Sequence, residues 1–166
     1  MQFLSARSLL YIRVLLLLVI SFLLITDPQS LTDANFTILL AQAMELPFAQ
    51  VSDTNPLLGI LSIVFGVQAI SDLIPLLAEN IEYFETITPT RLIFFFGLGA
   101  YTYLSSNSII ANSLVFVYAF FEIWFNFLIF NNLRDEKYYR LKKFVEEHAD
   151  EIQQEAGDQV RVVEVE

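Results

Sequence analysis

The chain has 166 residues, of which 55% are hydrophobic and 16 are phenylalanine, and its mean hydropathy is +0.56. A water-soluble domain of this size cannot bury so much apolar surface in one core, so the composition excludes an ordinary soluble globule and indicates a membrane protein. The net charge of −10 is compatible with this class, because eight of the 19 acidic residues lie after Lys143, in a tail.

Four apolar stretches approach the length of about 20 residues that a membrane-spanning helix needs. They are residues 9–26, 56–77, 89–106 and 109–133. We therefore predict an all-α, polytopic membrane domain of four transmembrane helices over residues 1–133. The first stretch also has the composition of a signal peptide, but no small-x-small cleavage site follows it, which favours an uncleaved anchor.

Two further segments complete the predicted architecture. Residues 34–48 are too short to cross a membrane, and they predict either an interfacial helix closed by Pro47 or a loop with an apolar face. Residues 134–166 form a charged tail, in which the helical spacing of apolar residues predicts an amphipathic helix to about Glu155. Its first, basic part suits an anionic cytosolic leaflet.

The distribution of basic residues predicts the orientation of the chain. All nine lie before or within the first stretch, in the first turn of the third, or after the fourth: Arg7, Arg13, Arg91, Arg134, Lys137, Arg140, Lys142, Lys143 and Arg161. The segments 27–55 and 105–108 contain none. Because basic loops stay on the cytosolic side, we predict that both termini are cytosolic.

The translocated segment 27–55 contains the triplet Asn35-Phe36-Thr37, which is an N-glycosylation acceptor sequence. Asn35 lies only about ten residues from the nearest predicted span and within a predicted helix. We expect it to remain unoccupied, although a glycan there would establish the topology.

Ionisable residues inside membrane segments indicate functional sites, because each costs roughly 2.5–3.5 kcal/mol to insert. Arg13 and Asp72 lie at similar depths, about 9 and 8 Å from the cytosolic ends of their spans at 1.5 Å per residue. We therefore predict that they form an ion pair.

Glu122 lies about 18 Å deep by the same rise, and no basic residue matches that depth. Asn126 lies one turn further along the same helix, and Gln68 lies one turn before Asp72. We predict that these two polar pairs face each other across the bundle. Without a countercharge, Glu122 is expected to hold a proton and to donate a hydrogen bond to Asn126, Gln68 or a backbone carbonyl.

Two roles follow for these intramembrane residues. They either fix how the helices pack and recognise a partner helix, which we favour, or they relay a proton or ion. A transport path usually includes several acids or broken helices, whereas Pro75 here interrupts a span only near its end.

The sequence contains few of the residues and motifs that enzymes use for catalysis. It has no cysteine, and its single histidine, His148, lies in the charged tail, so disulfides and thiolate or histidine metal sites are excluded from the apolar body. Phosphate-binding loops, nucleophile elbows and zinc-protease motifs are absent from the sequence. We predict a protein that is not an enzyme, has no cofactor and does not contact nucleic acid.

Three segments carry a family resemblance: AQAMELP at Ala41–Pro47, DLIPLLAENIEYFETITPTRLIFFF at Asp72–Phe96 and FFEIWFNFLIFNNLRDEK at Phe120–Lys137. Together they resemble the fungal "increased loss of mitochondrial DNA" family. The resemblance implies a small multipass protein of the endoplasmic reticulum whose loss impairs mitochondrial genome maintenance. It transfers no catalytic residue.

Combining the resemblance with the polar residues, we predict a non-enzymatic assembly or partner-binding factor for membrane proteins, which acts on mitochondrial DNA indirectly. Its expected partners are the lipid bilayer and another membrane protein. The alternative is a small ion or proton channel or transporter subunit that uses Asp72 and Glu122.

Overall fold

The computed structural model of the protein describes residues 5–52, 55–105 and 109–149. Within these ranges the chain forms six helices and no β-strand, which confirms the predicted all-α class for this part of the chain. In chain order the helices are α1 (Ala6–Thr26), α2 (Gln29–Asp33), α3 (Asn35–Ala43), α4 (Pro56–Leu77), α5 (Ile81–Leu104) and α6 (Ser113–Glu147).

Polar N-cap residues explain where the four long helices begin. In each case a side-chain oxygen accepts a hydrogen bond from a backbone N–H of the first turn, which would otherwise lack a partner. The four caps are Ser5 for α1, Asn55 for α4, Asn80 for α5 and Asn112 for α6.

Three of the described helices, α1, α4 and α6, are long and apolar enough to cross a membrane. Helix α5 has 24 residues but contains Glu82, Glu85 and Arg91, and it does not meet the same standard of composition. The predicted third span, residues 89–106, corresponds to the second part of α5, which begins eight residues earlier at Ile81. Length and composition therefore support three of the four predicted spanning helices, and they do not support α5.

Helices α1 and α4 pack closely because small side chains lie between them. Ser21 Oγ donates to the carbonyl of Ser62 at 2.9 Å, and Ser62 Oγ donates in return to the carbonyl of Ser21 at 2.7 Å. One turn further along α4, a Cβ added to Gly66 would lie 3.4 Å from Ser21 Oγ. Small residues and hydroxyl hydrogen bonds of this kind are what hold helices together in lipid.

Helices α5 and α6 form the second close pair, and they run antiparallel. Near the start of α5, Glu85 accepts hydrogen bonds from Lys137 at 2.7 Å and from Arg140 at 3.0 Å. Near the end of α5, a Cβ added to Gly99 would lie 3.6 Å from Ile123 Cδ1.

The start of α1, the end of α4, the start of α5 and the middle of α6 meet at one end of the bundle. Here the N–H of Ala6 donates to Glu136 Oε1 at 2.9 Å, and Arg7 Nη1 donates to Glu79 Oε1 at 3.0 Å. We call this end, which contains Arg7, Lys137 and Arg140, the basic end. The four long helices therefore alternate in direction.

The opposite end, which we call the α3 end, is closed by α2, α3 and the segment that follows them. The rings of Phe36 and Phe121 lie 4.9 Å apart, and the N–H of Ser113 donates to the carbonyl of Pro47 at 3.0 Å. The predicted single helix over residues 34–48 is too long: α3 ends at Ala43, because Glu45 adopts a positive φ of 53° in the turn before Pro47.

Helix α6 begins at Ser113, four residues later than the predicted start of the fourth span, and continues to Glu147. It contains neither proline nor glycine. The 14 residues after Leu133 correspond to about 21 Å of helix, which confirms that the span continues into the tail. The predicted end near Glu155 and the acidic terminus lie outside the described residues.

Candidate functional site

Seven polar side chains from all four long helices meet in the interior of the bundle. We call this set the buried polar cluster: Arg13 of α1, Gln68 and Asp72 of α4, Arg91 of α5, and Tyr118, Glu122 and Asn126 of α6. Five of the seven were singled out in the sequence as intramembrane polar residues. The structure brings those five together and adds Arg91 and Tyr118.

Arg13 lies at the centre of this cluster and is only 1% exposed. Its Nη1 donates to Asp72 Oδ2, so the predicted ion pair is present. Its Nε and Nη2 donate to the two carboxylate oxygens of Glu122 at 3.0 and 2.9 Å. One guanidinium therefore bridges two acids from different helices, using the planar fork of donors that lysine lacks.

Arg91 provides the second positive charge. Its Nη1 and Nη2 donate to Asp72 Oδ2 and Oδ1 at 3.0 and 2.7 Å, which makes a two-point pair. The cluster thus contains two guanidinium groups and two carboxylates, whose formal charges cancel. Since an unpaired charge is very costly in an apolar interior, this balance explains how α1 and α4 tolerate Arg13 and Asp72.

Glu122 is the most fully engaged acid. It is 3% exposed and accepts hydrogen bonds from two Arg13 nitrogens, from Tyr118 Oη at 3.1 Å and from Asn126 Nδ2 at 2.8 Å. Four donors saturate the acceptor capacity of a carboxylate. The expectation that no basic residue reaches Glu122 is therefore wrong, because Arg13 does.

That expectation failed because depth was counted along each backbone separately. Counting locates Cα atoms, whereas the side chain of Arg13 carries its charge several ångströms away from the backbone. Helices that cross at an angle also do not share one depth scale. A long basic side chain can therefore reach an acid whose Cα appears too deep.

The predicted contact between the two polar pairs is made indirectly. Tyr118 Oη lies 3.1 Å from Glu122 Oε1 and 3.4 Å from Gln68 Oε1, so it joins α6 to α4. Asn126 Nδ2 also donates to the backbone carbonyl of Glu122 at 2.7 Å. Among the described residues, no buried side-chain nitrogen or oxygen lacks a hydrogen-bond partner.

Chemically, this arrangement holds helices together more readily than it moves ions. All four charges are paired, and the described residues include no group of three or more acidic, histidine or cysteine side chains that could hold a metal ion. The hydrogen bonds of the cluster join side chains from all four long helices. The packing role of the five predicted residues nevertheless remains a prediction.

Sequence reasoning missed two kinds of residue. Arg91 was counted with the flanking cytosolic charges because it falls in the first turn of the predicted third span, whereas it lies well inside α5 with a side chain that is 18% exposed. The close contact of α1 with α4 was not predicted either. Ser62 and Gly66 have the small-x-x-x-small spacing that would have indicated it.

Asn35 lies apart from the cluster, at the first position of α3. Thr37, the third residue of its acceptor triplet, is 4% exposed, and its hydroxyl donates to the carbonyl of Leu31 at 2.9 Å. The prediction that Asn35 carries no glycan is consistent with this burial and stays a prediction.

Comparison with known proteins identifies the family. The family profile described as "Increased loss of mitochondrial DNA protein 1", or Ilm1, matches residues 4–112. The chain belongs to the Ilm1 family. The suspected resemblance is thereby confirmed, although the profile ends one residue before α6 begins and so does not cover Glu122.

Two fungal relatives extend the match. "Protein ILM1" of Saccharomyces cerevisiae is 37% identical over 148 residues, covering 87% of this chain and 73% of the relative. "Protein ilm1" of Schizosaccharomyces pombe is 32% identical over 126 residues, covering 74% of this chain and 78% of the relative. The family name refers to loss of mitochondrial DNA, and these names describe no enzyme. No solved structure matches the chain.

Proposed function

We propose that this Ilm1-family protein is a non-enzymatic factor of the endoplasmic reticulum membrane that binds another membrane protein, and that its effect on mitochondrial DNA is indirect. In this proposal the buried polar cluster holds the four long helices in one arrangement. The part of α6 beyond Leu133 then presents the binding surface. The family name supports the link to mitochondrial DNA.

The proposed topology has four crossings, with the basic end in the cytosol. Helix α5 is the fourth crossing, because it lies antiparallel along α6 and its Arg91 is neutralised by Asp72. Of the remaining described basic residues, Arg7 and the five between Arg134 and Lys143 lie towards the basic end, as the positive-inside rule requires.

One observation carries the binding proposal. On the projecting part of α6, Leu141, Phe144 and Val145 are 57%, 56% and 54% exposed, and they lie on one side of the helix. In the proposed topology they lie about 12–18 Å along the helix beyond Leu133, where the apolar part of α6 ends, and therefore outside the hydrocarbon of the membrane. Large apolar side chains at this spacing are typical of a helix that packs against a partner.

The test is the double substitution Leu141→Gln/Val145→Gln in fungal cells whose own copy is deleted. We expect the variant to reach the membrane at normal levels, to lose its co-purifying membrane protein in mild detergent, and to lose mitochondrial DNA as the deletion does. The measurements are quantitative co-purification and the fraction of cells that retain mitochondrial DNA.

The matched control is Lys142→Gln/Glu146→Gln, which removes an exposed ion pair with a 3.8 Å separation from the same helical segment. It should behave like the unmodified protein. If the apolar double variant retains both its partner and mitochondrial DNA, the proposed surface is wrong.

A channel or transporter subunit is the second candidate, because Asp72 and Glu122 are ionisable and lie within helices apolar enough to span a membrane. Purified protein in liposomes tests it. Ion or proton flux that is abolished by Glu122→Gln, in a variant that still folds, would favour this candidate over the binding factor.

A further inference from the structure

A pocket of about 720 Å³ lies between α1, α4, α6 and α3, on the side of the buried polar cluster towards the α3 end. It extends along α1 from Ile12 to Leu24, which corresponds to about 18 Å. Gln68 and Tyr118 line one end, and Leu31 and Phe36 line the other. Its volume lies within the range of about 300–1,000 Å³ that is usual for small-molecule sites.

The lining excludes a charged ligand. The pocket is surrounded by leucine, isoleucine, valine and phenylalanine side chains, and no lysine, arginine, aspartate or glutamate lines it. A phosphate headgroup would have no countercharge there, and burying it unpaired would be costly. The ligand must therefore be uncharged over the part that enters the pocket.

The lining also argues against a membrane helix as the occupant. Close approach of helix backbones in lipid relies on glycine, alanine, serine and threonine. Ala34 and Thr37 are the small residues of the lining, and both lie at the α3 end, whereas α1 and α4 contribute bulky aliphatic side chains. A thin, flexible or flat hydrocarbon fits between such side chains better than a helix does.

Gln68 gives the pocket a specific polar contact. Its Oε1 lies 3.4 Å from Tyr118 Oη, whose single hydrogen is shared with the closer Glu122, and among the described residues no hydrogen bond joins its amide nitrogen to another side chain. Gln68 lies near the midpoint of α4, where water is scarce if α4 spans the membrane. An acceptor oxygen on a ligand would satisfy an amide donor at that depth.

From these observations we propose that the pocket binds a neutral lipid, with its hydrocarbon body along α1 and α4 and a hydroxyl or carbonyl oxygen at Gln68. Sterols and acylglycerols both have this chemistry. The site is separate from the exposed face of α6, so this proposal stands or falls independently of the partner-binding function.

The experiment uses the full chain in phosphatidylcholine vesicles with three photoactivatable probes: a sterol, a diacylglycerol and a phosphatidylcholine. We expect one neutral probe to label residues that line the pocket, and unlabelled competitor to show whether sterol or acylglycerol is preferred. Labelling of the same residues to an equal extent by the phosphatidylcholine probe would overturn the proposal, because bulk bilayer lipid would then fill the pocket.

Two neighbouring positions on α4 provide a matched pair of variants. Val64 lines the pocket, whereas Ile63 is 66% exposed and lies outside it. Val64→Phe should reduce neutral-probe labelling about fivefold or more at subsaturating concentration, while Ile63→Phe should change it less than about twofold. Equal labelling of the two variants would contradict the proposed site.

Gln68→Leu keeps the side-chain volume nearly constant and removes the amide. It should reduce neutral-probe labelling about two- to tenfold, as expected for one lost hydrogen bond. This variant decides the matter if Val64→Phe folds poorly. Unchanged labelling of Gln68→Leu would refute the neutral-lipid site. A photo-crosslinking amino acid placed at position 64 would also refute it if it reacted with a polypeptide rather than with lipid.

Discussion

The two halves of the bundle use their polar residues differently. Towards the basic end, the interior is filled by the buried polar cluster, in which every charge has a partner of opposite sign. Towards the α3 end, α1 and α4 remain in contact through Ser21 and Ser62, and an apolar pocket bordered by Gln68 and Tyr118 lies between these two helices and α6. The comparison shows that one half of the bundle places paired charges between its helices and that the other half contains an apolar space.

The largest expected effect comes from removing Arg13. Arg13→Leu leaves Glu122 without a guanidinium in an interior where it is 3% exposed, so we expect the free energy of unfolding to fall by about 3–5 kcal/mol. Thermal or denaturant unfolding in detergent micelles measures this change.

The double variant Arg13→Leu/Glu122→Leu is the control for charge imbalance. It removes one positive and one negative charge and leaves Arg91 with Asp72, so it should recover much of the lost stability. A stable Arg13→Leu single variant would mean that the cluster does not determine how the helices pack.

A smaller effect is expected at the α1–α4 contact. Gly66→Leu places a side chain against Ser21, where a Cβ would already lie at 3.4 Å, and should lower stability by about 1–3 kcal/mol. Gly59→Leu on the same helix meets nothing within 4 Å and gains the same helix propensity. The difference between the two unfolding free energies isolates the contact, and equal values would show that the small residues are unimportant.

The smallest effect is expected at the surface of the basic end. Arg7 and Glu79 form a 3.0 Å pair, but their side chains are 50% and 69% exposed. Arg7→Ala should therefore change the free energy of unfolding by less than about 0.5 kcal/mol, and less still at high salt. If Arg7→Ala lowered the free energy of unfolding as much as Arg13→Leu does, buried and surface ion pairs would contribute equally to stability, contrary to this prediction.

The sequence predicted the features that depend on composition and local spacing. Helical class, the approximate positions of α1 and α4, and the pairing of Arg13 with Asp72 all follow from apolar length and residue counting. The partners of Glu122 did not, because they depend on how helices cross and how far a side chain reaches. The pocket was also invisible, since a gap between helices leaves no pattern in any single helix.

Helix α5 shows the same limit from another direction. Its Arg91 lowers the apolar character of the segment, so composition alone separates α5 from the three helices that could cross a membrane. Its antiparallel contact with α6 and the pairing of Arg91 with Asp72 become visible only in three dimensions. The charge of Arg91, which lowers the mean hydropathy of α5, is here paired with Asp72 of the neighbouring helix α4.

The uninterrupted course of α6 has a mechanical consequence. Since no proline or glycine interrupts Ser113–Glu147, the helix is a rod of about 52 Å, with Glu122 about 14 Å from its start and Phe144 about 33 Å further along. A protein that binds α6 near Phe144 and rotates the helix about its axis would also rotate Glu122 and change the geometry of its hydrogen bonds to Arg13. Binding outside the membrane would in this way alter the contact between α6 and α1 inside it.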